Sequence, residues 1–218
     1  VRDEEDDKYL YWFSATDSVR NWLWDINRVG DLMVTVGDHA TVLTSHDGAS
    51  WNLEVVPESA TESILLGVGG TTNLLVVVGN HGQLLTSHNS WTNVVTQNDL
   101  GQAVTNKVNT LGVVWEVADP KPTENDLQGV AALGEMCVVT GGKGTVLTTS
   151  DGKQWSKHQA PTTGILTSVE AFKGRFVATG ENGVILTSTN GADWTAQASG
   201  TTEWLYRVRA FDDQLVAV

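Results

Sequence analysis

Four histidines fall into two pairs of equal spacing, His39 with His46 and His81 with His88. His39 and His81 each stand two residues after a glycine, as does Lys143. Two imidazoles with Asp38 as a third ligand would suit zinc, which takes three protein ligands at a catalytic site. Divergence of a duplicated unit explains the pairs equally well, and no metal or cofactor is expected. Asp25, Asp38 and Glu181 are candidate carboxylates, but cleaving a glycosidic bond needs two such groups across one cleft, and no spacing brings two together. The aromatic residues Trp22, Trp24, Trp204 and Tyr206 suit stacking on a sugar or gripping a peptide. Core packing is the alternative for them, since Ile64 and Ile165 stand where Trp22 stands.

The elements that hold these residues repeat. Val36–Trp51, Val78–Trp91, Thr140–Trp155 and Thr179–Trp194 share one frame anchored on Gly37, Gly79, Gly141 and Gly180. Fourteen residues upstream of each anchor lies Leu23, Leu65, Leu127 or Leu166, and eleven upstream lies Ile26, Val68, Val130 or Val169. Such self-similarity marks an array of one small unit. Each unit reads as four short strands, a to d, of β-branched residues bounded by Gly, Asn and Asp turns. Four strands per unit of ~40 residues is the blade of a β-propeller. The fold expected is all-β, a propeller of four-stranded antiparallel blades over 22–60, 63–122, 126–163 and 165–203, with partial blades at 1–20 and 204–218. In this frame Trp22, Trp24, Trp204 and Tyr206 fall at the d–a connections. Asp38, His39, His81, Lys143 and Glu181 fall on the b–c turns.

Trp12 precedes Leu23 by eleven residues, as Trp155 precedes Leu166 and Trp194 precedes Leu205. Tyr11–Phe13 therefore reads as a strand d, while Leu205–Val218 begins another unit. Either the two ends share a fifth blade, or the chain is a segment of a longer propeller. The missing initiator Met and the stop at Val218 favour a processed or partial chain. In the second unit Trp115 is the better match to the blade tryptophan, which makes 89–111 an insertion in the c–d turn, read as a polar surface loop. The Asp3–Asp7 run reads as a solvated charge cluster.

With 26 acidic and 13 basic residues the formal charge is −13. That argues against nucleic-acid or anionic-membrane binding, which needs clustered Lys and Arg. No apolar stretch approaches the ~20 residues of a membrane span. Cys137 occupies a strand-b position held elsewhere by Met33, Leu75, Phe176 and Leu215, so it reads as core filler. Many Thr, Ser, Asn and Gly with few Lys suggest a secreted, periplasmic or lumenal protein.

The turn Ser45-His-Asp47-Gly48-Ala-Ser-Trp51 resembles the Asp-box, or BNR, repeat, and Asp151-Gly152-Lys-Gln-Trp155 and Asn190-Gly191-Ala-Asp-Trp194 are similar. The side chain of Asp or Asn caps its own turn, Gly takes a positive φ, and Trp packs into the blade. Asp-box propellers include sialidases, some endoglucanases, sorting-receptor ectodomains and assembly factors. The blade style is most similar to photosystem II stability/assembly factors, which are protein-binding scaffolds. The resemblance implies that the boxes are structural and lie away from the ligand face. Sialidase activity would need an arginine cluster, and Arg2, Arg20, Arg28, Arg175, Arg207 and Arg209 do not recur at equivalent blade positions. The expectation is a non-catalytic protein-binding or assembly module whose partner is another protein, with a carbohydrate-binding or glycoside-hydrolase-like propeller as the alternative and a homo- or hetero-oligomer as a further expectation.

Overall fold

The computed structural model describes residues 21–97 and 101–218. The Tyr11–Phe13 strand and the Asp3–Asp7 run lie outside the described residues. The first antiparallel sheet is β1 (Leu23–Val29), β2 (Leu32–Gly37), β3 (Val42–Ser45) and β4 (Asn52–Leu53). The second is β5 (Leu65–Thr71), β6 (Leu74–Gly79) and β7 (Leu84–His88). It is completed by β10 (Glu116–Val117) after the intervening β8 (Trp91–Gln97) and β9 (Ala103–Asn109). The third sheet is β11 (Leu127–Leu133), β12 (Met136–Gly141), β13 (Thr145–Thr149) and β14 (Ser156–Gln159). The fourth is β15 (Leu166–Phe172), β16 (Arg175–Gly180), β17 (Ile185–Ser188) and β18 (Thr195–Gln197). A two-stranded unit, β19 (Val208–Phe211) with β20 (Gln214–Ala217), follows. The molecule is a β-propeller, and its strands a (β1, β5, β11, β15, β19) neighbour one another in chain order.

Blades adhere through aliphatic faces dictated by the two-residue period of the strands. Val34, Val36 and Val42 of the first blade pack on Leu65, Val68, Leu75, Val77, Leu85 and Trp115 of the second. Leu74, Val76, Val78 and Leu84 on the second blade's other face meet Leu127, Val130, Cys137, Val139 and Leu147. Ala131, Val138 and Val146 meet Leu166, Val169, Phe176 and Leu186. At ~25 cal/mol per Å2 of buried apolar surface, these three faces supply the main cohesion of the array. The strands a come so close that a Cβ on Gly67 would lie 2.3 Å from the Gln128 carbonyl oxygen of the next blade.

The b–c turns explain the second glycine of the last three motifs, where the first motif has Ala40. His81, Lys143 and Asn182 sit at left-handed φ of 50°, 56° and 59° within 3-10 turns. The glycine that follows abuts the d–a connection: a Cβ on Gly82 would lie 1.7 Å from the Thr123 oxygen.

The c–d turns share one hydrogen-bond pattern. Asp47 Oδ1 accepts the amides of Ala49 and Ser50, both at 2.8 Å, while Trp51 Nε1 donates to the Gly48 carbonyl. Asp151 and Asn190 do the same for Lys153 with Gln154 and for Ala192 with Asp193. Trp155 and Trp194 donate to Gly152 and Gly191. In the second blade the same turn is split. Ser87 Oγ accepts the Gly112 amide at 2.8 Å, as Ser45 Oγ accepts that of Gly48 at 2.9 Å, and Trp115 Nε1 donates to the Gly112 carbonyl. Residues 89–111 are thus spliced between Ser87 and Gly112. Within them β8 and β9 form an antiparallel hairpin, in place of the polar surface loop read from the sequence.

Candidate functional site

Strand a starts with an irregular step in each full blade, between Leu23 and Asp25, Leu65 and Gly67, Leu127 and Gly129, and Leu166 and Ser168. A bulge re-aims the extra side chain, and the residue it releases in the first blade is Trp24. Trp22 lies beside it, with ring centroids 5.7 Å apart. Tyr206 occupies the same repeat position in the last unit and stacks on Trp204 at 5.5 Å. All four rings are exposed, Trp22 at 70% and Tyr206 at 60%. Core packing therefore does not account for them.

The two segments that carry the aromatic pairs are joined across a seam between the last unit and the first blade. Arg207, next to Tyr206, donates from Nη2 to the Trp24 carbonyl at 2.6 Å. Arg209 Nη2 lies 3.0 Å from Asp25 Oδ1, Arg207 Nη1 lies 3.5 Å from it, and Arg209 Nη1 lies 3.7 Å from Glu170 Oε2. Asp25 Oδ2 also accepts the Val68 amide at 3.0 Å, so this carboxylate ties the second blade to the last unit. Its side chain is only 6% exposed. Burial, the largest influence, pushes the Asp25 carboxyl above its ordinary value, while Arg207, the Val68 amide and Arg209 pull against it. Burial likewise pushes Glu170 up, opposed chiefly by Arg209.

Beside these ions lies a groove of about 590 Å3, lined mainly by apolar side chains including Trp24, Ile26, Met33 and Trp51, with Arg207 and Arg209 at its edge. Ile26 is 55% exposed, whereas its counterparts Val68, Val130 and Val169 are buried. Among the described residues, the groove is the first blade's version of a face that neighbouring blades seal in the other three.

The remaining sequence candidates serve turns at the same end of the blades. Asp38 Oδ1 accepts Trp24 Nε1 at 2.7 Å and so holds that ring. Glu181 Oε2 accepts the Ile165 amide at 3.1 Å, as Asn80 Oδ1 accepts that of Ile64. His81 donates its amide to Asp126, and its carbonyl accepts Lys121 Nζ. The Lys143 carbonyl accepts Gln159 Nε2. His39 takes a left-handed φ of 52° in its turn. Among the described residues no three of His, Cys, Asp or Glu gather in a metal-binding geometry, so His39 and His81 do not share a site with Asp38.

Sequence reasoning weighed Arg207 and Arg209 only against an arginine cluster, passed over Glu170, and read Asp25 only as an isolated carboxylate. The signal lay where the repeats disagree. Arg207 aligns with Asp25, Gly67, Gly129 and Ser168, and Arg209 aligns with Asn27, Gly69, Ala131 and Glu170. Charge enters these two positions beside the seam, and small residues fill them where blades touch directly.

Comparison with known proteins supports the architecture. Residues 112–218 match the family model described as the DUF6242 β-propeller domain. No curated protein matches the chain. Among solved structures, the chain is similar to one titled "YCF48 bound to D1 peptide", at 18% identity and a TM-score of 0.63, over 91% of this chain and 60% of that one. It is also similar to the computationally designed Ika8 protein, at 14% identity and a TM-score of 0.62, over 92% of this chain and 56% of that one. The chain thus spans about 60% of the length of the first of these structures and 56% of the second.

Proposed function

We propose that this propeller is a non-catalytic protein-binding or assembly module that grips an extended segment of another protein at the seam. The observation that carries this reading is the exposure of Trp22, Trp24, Trp204 and Tyr206 on two segments that Arg207 joins. Rigid aromatic rings and a guanidinium are the residue types that dominate protein interfaces. The match to YCF48, solved with a D1 peptide, is in keeping with it. In this reading the c–d turns are Asp boxes, structural staples of the blades, the first of which also borders the groove through Gly48 and Trp51. Asp25 and Glu170 are held by Arg209 and serve to position the seam.

A second reading is supported by the groove, where Trp24 and Trp51 border Asp25 and Arg207 as a sugar site would require. The two separate on parallel peptide and glycan arrays probed with the parent protein and with a Trp22→Ala/Tyr206→Ala variant. Peptides retained by the parent and lost by the variant support protein binding. Glycans with that behaviour support the second reading, and equal retention by both proteins removes the seam from either.

A further inference from the structure

The inserted hairpin stands apart from the seam. It leaves the c–d turn of the second blade, whereas the seam aromatics lie at the end of the b–c turns. β8 and β9 pair along seven residues, from Trp91 opposite Asn109 to Gln97 opposite Ala103, with no shift of register. Neither strand joins any other sheet of the described residues, so the arm presents two free edges, each about 24 Å long at ~3.4 Å per residue. Natural edges are blunted by Pro, bulges or inward charges. The described residues of this arm have no Pro and no bulge, and Lys107 is their only charged side chain. On one face Trp91 and Val95 are 64% and 65% exposed.

We infer that the arm is a second interaction surface, which takes an extended strand from a partner protein along its free edge. Two features define the chemistry of that strand. The arm lacks carboxylates among its described residues, so the part that pairs is uncharged, with aliphatic side chains alternating to cover Trp91 and Val95. The chain carries a net charge of −13, so the flanks of the partner strand are basic, drawn in by the field of the acidic body. Main-chain pairing gives the affinity, and the alternate side chains give the selectivity.

The test uses two synthetic peptides with one Thr-Val-Thr-Val-Thr-Val core, flanked by Lys-Lys or by Glu-Glu at both ends, titrated into the protein by calorimetry. A control protein has residues 89–111 replaced by a single Asp. This joins Ser87-His88 to Gly112 and recreates the Ser45-His46-Asp47-Gly48 turn of the first blade, so its fold should survive, as circular dichroism would show. The lysine-flanked peptide should bind roughly tenfold more tightly than its glutamate twin, with the difference shrinking in salt. The shortened protein should lose that binding, and Thr105→Pro should weaken it. Equal binding of the two peptides, no binding of either, or retention by the shortened protein overturns the inference. So does an arm-dependent dimer without peptide, because the edge would then belong to a second copy. Seam binding should be unaffected in the shortened protein, so failure here leaves the proposal for the seam standing.

Discussion

Arg207 reaches the carbonyl of Trp24, 183 positions earlier in the chain, at 2.6 Å. Between the second and third blades the corresponding place is taken by Gly67 against the Gln128 carbonyl, with no room even for a Cβ. The repeat therefore uses glycine at this position in the second and third blades, and arginine where the seam is spanned. That exchange links the two segments that carry the aromatic pairs.

Gly67→Ala should be among the more damaging small substitutions, because its Cβ would press on backbone. Overpacking costs about 1–3 kcal/mol, and a urea denaturation midpoint lowered accordingly would confirm it. Gly134→Ala adds a Cβ into open space but at a φ of 62°, so any loss there reports backbone strain alone.

Arg209→Ala should cost about 1–2 kcal/mol at neutral pH, between the values for exposed and buried ion pairs. The loss falls on Asp25, a carboxyl already pushed up by burial. A raised folded pKa gives stability that is present below the ordinary carboxylate value and is lost as pH rises through the folded value. The variant's deficit should therefore shrink toward about pH 4. Equal deficits at pH 4 and pH 7 would show that the pair does not carry charge across the seam.

Asp47 behaves in the opposite sense. Amides of Ser50 and Ala49, with help from Ser45, hold its carboxyl down at about 2. Its contribution is present above the ordinary value and is lost as pH falls through about 2. Asp47→Asn should keep the turn, as Asn190 does in the fourth blade, and flatten the acid limb of the thermal midpoint. Asp47→Ala should lower the midpoint across the whole range.

Cys137 is fully buried, and burial pushes its thiol up to about 11. It should resist alkylation at pH 8 until denaturant opens the core. Labelling with iodoacetamide, followed by mass spectrometry, should track global unfolding.

Much of the architecture was legible in the sequence because its repeated residues have one job each. The anchoring glycines, the leucines fourteen residues upstream and the c–d tryptophans recur since every blade needs the same turn and the same core face. Trp115 could be matched to Trp51 despite the insertion for that reason. The seam was not legible, since Asp25, Arg207 and Arg209 act at the positions where repeats differ. Nor does the bulge that frees Trp24 leave any mark on residue type: Leu66, Gln128 and Thr167 share its position. The arm at 89–111 has no apolar period, because neither of its faces is sealed by a core, and so it read as a loop.

The most direct test of the seam is a distance. Spin labels on Asn21→Cys and Glu203→Cys, in a chain whose one native thiol is shielded, report by pulsed electron resonance on the gap between the two aromatic pairs. The structure predicts a single narrow distribution that broadens when Arg207 and Arg209 are both replaced by Ala. A broad distribution in the parent, unchanged by those substitutions, would contradict a site assembled from the two ends of the chain.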